Sequence, residues 1–321
     1  AEAMRQSGER GWALYRKMGS PRKIVAPMVD QSELAFRMLA RKYGAELCYT
    51  PMINSKILLE DHTYRSTNLD LECPEDRPLI VQFCGNDPGV MAAAAQLVDR
   101  RCDAVDINLG CPQNIARRGR YGAFLLEEWD LLQDMVWAMH CSAKVPVTCK
   151  VRLLQESVED TIELCKLLVG AGAAMLTVHG RTRMQVGCLA GVCNWDAIRR
   201  IREAVPVPVF ANGGIGCIED FEECLRVTGA AGVMVSEVVL SNPAFFAPNA
   251  PGPCGVAPTS ESMCREYLAL ARRFPPKRYV SGILRGHVFK LLFTALSRCE
   301  DLRPVLAVSH SLEDVERVSR A

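Results

Sequence analysis

One stretch of the chain, Asp106-Ile107-Asn108-Leu109-Gly110-Cys111-Pro112-Gln113, puts a thiol where it could do chemistry. Ala104, Val105, Ile107 and Leu109 read as a buried strand, and a Gly-Cys-Pro turn then stops it with Cys111 exposed. A cysteine at such a turn is placed to meet a ligand, whereas one inside an element is usually packing. Lys150 sits in the apolar run Val147-Thr148-Cys149-Lys150-Val151. An unpaired ammonium there would be costly, so it must reach solvent or find an anion or carbonyl. His179 ends Leu176-Thr177-Val178-His179, with Arg181 and Arg183 close behind. Taken singly such a histidine is more often satisfied in a core, but the two arginines favour an anionic ligand. Asn212-Gly213-Gly214 offers backbone N–H groups that can approach a phosphate, although two glycines after a strand are by themselves only a turn.

These residues belong to a chain with the composition of an ordinary soluble enzyme, 49% hydrophobic and 23% charged over 321 residues. That length allows one large domain and a small one. No apolar run approaches the roughly 18 residues of a membrane span, and the N-terminus lacks the apolar core of a secretory signal. The 15 cysteines are odd in number, scattered and never spaced as CxxC. A disulfide framework or zinc ribbon would cluster them, so no metal site is expected and the thiols point to the cytoplasm or nucleus. The absence of an initiator methionine suggests a piece of a longer product. Net charge is only +1, yet between Glu261 and Arg298 eight basic residues stand against two acidic ones. That asymmetry fits an anionic partner or a solvated helical surface about equally well.

The elements that must position the chemistry alternate. Strands are expected at 23–28, 47–50, 79–83, 104–108, 147–151, 175–179, 207–211 and 232–235. Amphipathic segments lie between most of them, at 32–43, 88–100, 127–140, 158–169, 195–204 and 218–227. Gly44, Gly170 and Gly229 stand where helix C-caps should. Near-continuous apolar strands alternating with helices predict a parallel sheet covered on both faces. Eight such units predict an α/β fold, a (β/α)8 TIM barrel, rather than an open doubly wound sheet, for which GxGxxG after an early strand is missing. The expected organisation is an N-terminal extension at 1–22, a barrel at 23–250, a Pro/Gly-rich linker at 251–258 and a small C-terminal all-helical domain at 259–321. Ser311 to Asp314 reads as a capping box with Asp in place of Glu.

In such a barrel the chemistry sits at the C-terminal strand ends. Pro27-Met28, Thr50-Pro51, Gln82, Asn108 to Cys111, Lys150 with Arg152, His179 with Arg181, and Asn212 to Gly214 all fall there. One polar strand end is loop chemistry; most of eight make a ring around one cavity, and within that ring Lys150 is better read as facing a ligand than as escaping to solvent.

In this order these residues resemble the tRNA-dihydrouridine synthase family. The matching segments are Ala26-Pro27-Met28, Val81-Gln82, Asn108 to Gln113, Gly119 to Leu126, Lys150-Val151-Arg152, Val178 to Thr182, Ala211 to Ile215, Gly232-Val233-Met234 and Asn242 to Phe246. Val29 to Ala35, Leu47 to Met52 and Pro74 to Pro78 are similar to the eukaryotic subgroup that acts on positions 16 and 17 of the tRNA D-loop, and Leu284 to Leu292 is similar to its tRNA-binding helical domain. The resemblance implies tightly bound FMN in the barrel mouth, NADPH as reductant, hydride transfer to C6 of a uracil and protonation of C5 by Cys111. A thiol with the ordinary pKa of about 8.5 is largely protonated near neutral pH and can donate. It further implies that Pro27, Met28 and Val29 touch the flavin, Gln82 and Lys150 contact its ring, His179 lies against it, and Asn212, Gly213 and Gly214 hold its phosphate. Asn108, Arg152 and Arg181 become candidates for the uracil and its phosphate. Arg117, Arg118 and Arg120 stand where RNA would arrive, with Arg272, Arg273, Lys277, Arg278 and Lys290 on the helical tail.

The chain departs from the family after the last strand. Many members have Gly-Arg where this chain has Ser236-Glu237, and glutamate cannot supply the arginine's charge to a phosphate. The similar subgroup also tends to carry glutamate, so phosphate binding would rest on backbone N–H groups, Ser236 and nearby cations. Two other readings stand beside this one. An FMN barrel acting on a free pyrimidine would have no need of a basic helical tail, and a non-catalytic tRNA-binding chaperone would not need Cys111, Lys150 and His179. A monomer that binds tRNA and no membrane is the expectation.

Overall fold

A computed structural model describes residues 2–247, 257–299 and 301–320. Its strands are β1 (Lys23–Val25), β2 (Leu47–Tyr49), β3 (Ile53–Asn54), β4 (Leu79–Cys84), β5 (Ala104–Leu109), β6 (Val147–Leu153), β7 (Ala173–Thr182), β8 (Val209–Asn212) and β9 (Gly232–Val235). All pairings are parallel: β1 lies between β2 and β9, and β2 also pairs with β4, so the sheet closes on itself. β2 and β3 both pair with β4, at Leu79–Ile80 and at Phe83–Cys84, so together they make one interrupted barrel position. The interruption falls at Pro51, which has no N–H to give a ladder. Eight strand positions with helices outside make the expected TIM barrel.

Several boundaries differ from the expectation for identifiable reasons. β1 stops at Val25 because the chain turns at Met28, whose carbonyl accepts from the N–H groups of Gln31 and Ser32 at 3.1 Å each. β8 begins at Val209 rather than 207, since Pro208 cannot donate to the sheet. β7 runs on to Thr182 and so carries His179 and Arg181 on the strand itself. Gly44 and Gly229 do hold left-handed positions, φ +93° and +59°. Gly170 does not: it ends the helix Val158–Gly170, and the positive φ falls on Gly172, where a Cβ would lie 2.6 Å from the His140 ring.

The N-terminal extension is a helix, Glu2–Lys17, packed across the end of the barrel opposite the strand C-termini. Its Leu14 and Met18 join Ile24, Leu47, Tyr49, Ile80, Phe210 and Met234 in a buried cluster that fills the barrel interior. Ser7 Oγ donates to Val169 O at 2.9 Å, and Trp12 Nε1 to Pro206 O at 2.9 Å. Gly11 is a close-approach glycine, for a Cβ there would meet Ala174 O at 2.0 Å. A second, larger core lies between barrel and outer helices.

Past residue 258 the described chain is helical: Ser260–Arg273, Val280–Leu291, Phe293–Arg298, Leu302–Ala307 and Leu312–Arg320. The Ser311 capping box forms, with Asp314 N–H to Ser311 Oγ at 3.1 Å and Ser311 N–H to Asp314 Oδ2 at 3.3 Å. The greater part of the expected linker, 251–256, lies outside the described residues. These helices dock on the segment that continues the 27–29 loop. His287 and Tyr267 meet the buried Glu33 carboxylate at 3.0 and 2.9 Å, and Phe36 stacks on His287 at 4.6 Å. Burial alone would raise the Glu33 carboxyl, but the His287 ring and hydrogen bonds from its own backbone and Tyr267 hold it below its ordinary value.

Candidate active site

The cysteine turn is held by a directed chain of hydrogen bonds. Asn108 Oδ1 accepts from the N–H groups of Gly110 (3.2 Å) and Cys111 (2.9 Å). Those groups can only donate, so the other end of the Asn108 amide must donate, and its Nδ2 bonds Gln82 Oε1 at 2.7 Å. Gln82 Nε2 then donates to Asp106 Oδ2 at 2.8 Å, and Thr148 Oγ1 donates to Asp106 Oδ1 at 2.6 Å. The two links to Asp106 come from residues in register on adjacent strands, Gln82 opposite Asp106 on β4 and β5 and Asp106 opposite Thr148 on β5 and β6. Burial raises the Asp106 pKa to about 6 against the opposing pull of Thr148, Gln82 and Lys150. Asp106 and Thr148 were not singled out in the sequence. The available signal was an acidic residue in an otherwise apolar strand, where it must find partners.

Two further contacts fix the turn from behind. Arg152 Nε donates to Gly110 O at 2.8 Å and its NH1 to Thr182 O at 2.9 Å, so this guanidinium braces backbone as well as lining the cavity. Gly122, φ +67°, lies so close that a Cβ would be 2.7 Å from Cys111 O, and the next N–H, of Ala123, donates to that carbonyl at 3.0 Å.

Around Cys111 opens a cavity of about 540 Å³ lined by Pro27, Met28, Val29, Gln82, Asn108, Lys150, Arg152, His179, Asn212, Ser236, Glu237 and Lys290. Most of the residues expected at the strand ends therefore converge, but Thr50 and Pro51 do not: they line a separate pocket with Glu33, Arg37 and Arg278. Ser32 fixes the 27–29 loop, its Oγ accepting from Met28 N–H at 3.0 Å. Lys150 Nζ donates to Asn212 Oδ1 at 2.8 Å, and burial, with Arg152 adding to it, brings its pKa down to about 8. Burial and the cations Lys150, Arg152 and Arg181 push His179 down to about 2, so its imidazole is neutral at any physiological pH.

The adjacent glycines expected at a phosphate follow Asn212, which lines the cavity, but are not themselves part of its lining. Gly213 and Gly214 have φ +101° and +79°, and a Cβ on either would strike the His179 ring (2.6 Å) or Cys193 (2.9 Å). Only glycine fits at these two positions, because His179, Cys193 and Trp195 fill the space a side chain would need. Lys150, Arg152 and Lys290 against Glu237 leave the lining net positive, which suits an anionic ligand. Lys290 arrives from the helix Val280–Leu291 and stands on the same wall as Ser236 and Glu237, where the family arginine is missing.

Other candidates lie elsewhere. Arg181 does not line the cavity; it bonds Gly191 O at 3.0 Å and approaches His179 Nε2 at 3.4 Å. Arg117 and Arg118 are exposed on the helix Asn114–Gly119 that follows the cysteine turn. Arg272 pairs with Glu316 at 2.8 Å, while Lys277 and Arg278 pair with Asp70 (3.5 Å) and Asp30 (2.9 Å) of the barrel. These three are occupied within the chain, whereas Arg273 stacks on Phe274 and stays exposed. Among the described residues no helix is long and apolar enough to cross a membrane.

The dihydrouridine synthase (Dus) family pattern matches residues 24–291. A rat protein named tRNA-dihydrouridine(16/17) synthase [NAD(P)(+)]-like is 50% identical over 308 residues, covering 95% of this chain and 68% of its own length. Its mouse counterpart is also 50% identical, and this chain spans 62% of that relative's length. The tRNA-dihydrouridine(16/17) synthase [NAD(P)(+)] of Schizosaccharomyces pombe is 42% identical over 311 residues, covering 95% of this chain and 78% of its own. The solved structure described as a crystal structure of TcOYE with pHBA shares the barrel fold at 11% identity, with a TM-score of 0.50 over 79% of this chain and 95% of that one. With the family pattern across its barrel and half its residues shared with such relatives, this chain belongs to the dihydrouridine synthase family.

Proposed function

We propose that the chain reduces the C5–C6 double bond of uridine in the tRNA D-loop, at positions 16 and 17, using tightly bound FMN and NADPH. The single observation that carries this is the convergence of Cys111, Gln82, Asn108, Lys150 and His179 on one cavity of about 540 Å³. That volume lies in the usual range of cofactor pockets, and the names of the rat and yeast relatives point to the same substrate.

The residues that would hold FMN are Pro27, Met28 and Val29 beside its ring, Gln82, Lys150 and His179 against it, and Asn212 to Gly214 with Ser236 and Lys290 at its phosphate. When bound and reduced by NADPH, FMN supplies the hydride that goes to C6. The Cys111 thiol gives its proton to C5 and is left as a thiolate, so solvent must reprotonate it before the next turnover. The Asn108 link and the Arg152 brace hold the Cys111 backbone still for that transfer. His179, neutral throughout, orients and packs rather than moving a proton. Lys150 keeps its positive charge below about pH 8 and so favours negative charge developing in the cavity. Arg265, Arg273 and Arg298, exposed on the helical region, carry phosphate contacts.

The test is to purify the protein, record its visible spectrum, and assay dihydrouridine after incubation with tRNA from a strain lacking the modification. Yellow protein and dihydrouridine at 16 and 17 are expected. A colourless protein with no flavin affinity would reject the reading, and turnover of free pyrimidine but not tRNA would replace it with the small-substrate one. Cys111→Ala should keep its flavin and lose about 100- to 10,000-fold in turnover. Full activity in that variant removes Cys111 as the acid.

A further inference from the structure

The loop after β7 leaves apolar side chains in water beside the active-site mouth. Met184, Val186, Leu189 and Val192 are 60%, 39%, 72% and 89% exposed. One exposed apolar residue on a surface needs no account, but four in so short a loop do. The loop is not slack. Thr182 N–H donates to Gln185 Oε1 at 2.8 Å, Gln185 Nε2 to Ala190 O at 3.2 Å, and Arg181 to Gly191 O at 3.0 Å. Asn194 N–H closes its base on Gly180 O at 2.7 Å. These bonds fix the backbone with its apolar side chains pointing outward.

Its position is equally defined. Arg152 bonds Gly110 O on one side and the carbonyls of Thr182 (2.9 Å) and Gln185 (3.3 Å) on the other. Arg183 donates to Ala123 O, and Ala123 N–H donates to Cys111 O. The loop therefore borders the cysteine turn directly. On the helix that follows that turn, Arg117 and Arg118 face solvent, and neither is in an ion pair among the described residues.

We infer that this loop is a docking surface for unstacked RNA bases: Met184, Leu189 and Val192 take the faces of nucleotides next to the one delivered to Cys111, while Arg117 and Arg118 take phosphates. The inference rests on the reading of the substrate as tRNA. A base that enters a cavity leaves its stack, and its neighbours then lose a stacking partner. Proteins replace that partner with flat or apolar side chains, and the replacement is tolerant of sequence because every base has a face. A loop already ordered in this form loses little entropy when the bases arrive. The unpaired arginines beside it favour a polyanion over a protein as the occupant.

The test is fluorescence anisotropy of an unmodified tRNA transcript on the flavin-loaded full chain across a series of KCl concentrations. The Met184→Ser/Leu189→Ser double variant should bind about tenfold more weakly, with the salt slope of the wild type, because no phosphate contact is lost. Arg117→Ala/Arg118→Ala should instead flatten the slope by roughly 1.5, about 0.7–0.9 for each phosphate. Flavin content and melting temperature serve as folding controls and should match the wild type in the loop variant. Unchanged RNA affinity and turnover in the loop variant would overturn the inference, as would a changed oligomeric state with RNA binding intact, which would assign the patch to a second copy of the chain. A wild-type protein that binds no tRNA would fail at the earlier step and remove the substrate reading itself.

Discussion

At the scale of single residues, Asp106 decides how firmly the reactive turn is held. Its carboxyl is the far end of a chain that runs through Gln82 and Asn108 to the Cys111 N–H, and every amide in that chain has only one workable orientation. Burial raises the Asp106 pKa from 3.8 to about 6, so the folded protein keeps this proton at pH values where the unfolded chain has lost it. The contribution of this group to stability then falls as pH rises from about 4 to about 6. Asp106→Asn can still offer an oxygen to Gln82 and an N–H to Thr148, whose hydroxyl can turn to Val105 O at 3.4 Å. The variant should therefore gain on the wild type through that window, by an amount on the order of 2–3 kcal/mol above it, read as urea midpoints between pH 4 and 8. A difference that stays flat with pH would show that Asp106 does not titrate there. The cysteine itself was legible from the sequence, because a Gly-Cys-Pro turn after an apolar strand is a local pattern. Asp106 and Thr148 were not, since their importance comes from strand register, which pairs residues some forty positions apart.

At the scale of elements, the turn depends on a piece of chain ten residues downstream. Gly122 must be glycine: its φ of +67° is unfavourable for other residues, and a methyl would press on Cys111 O and Cβ at 2.7 and 3.0 Å. Gly122→Ala should cost about 1–3 kcal/mol in thermal or urea unfolding and lower kcat more than flavin affinity, because the displaced group is the proposed acid and not the proposed cofactor wall. Equal loss in both would mean that the whole mouth is reshaped. Most of the helices and strands were legible from periodicity, with the helix Trp195–Ala204 matching to the residue. The expectation failed at prolines, where Pro51 splits one strand position and Pro208 delays another, and at the helix Glu2–Lys17. That helix keeps few apolar residues and uses Gly8 and Gly11 for close backbone approach, a feature that only its neighbours reveal.

At the scale of the whole molecule, the positive charge of the helical region divides into two groups. Lys277 and Arg278 hold the helices against Asp70 and Asp30, next to the loop that borders the cavity. Arg265, Arg273 and Arg298 are exposed without an ion pair among the described residues. Reversing the first pair to glutamate should lower the melting temperature by a few degrees, each exposed pair being worth less than about 1 kcal/mol, and should weaken flavin retention. Reversing the second set should leave melting unchanged and weaken tRNA binding steeply with salt. The same response from both sets would erase the distinction. Net basicity of the tail was readable from composition; which cations remain for a partner was not, because the acidic residues that occupy the others come from distant parts of the chain.

The N-terminal helix has one more consequence. With Leu14 and Met18 seated under a barrel already filled by Tyr49, Ile80, Phe210 and Met234, the described residues pack the lower end of the barrel shut. The cavity opens at the other end, among the C-terminal ends of the strands. On the function proposed above, a dinucleotide and a nucleotide that used that face would exclude each other there, and the two halves of the reaction would be separated in time.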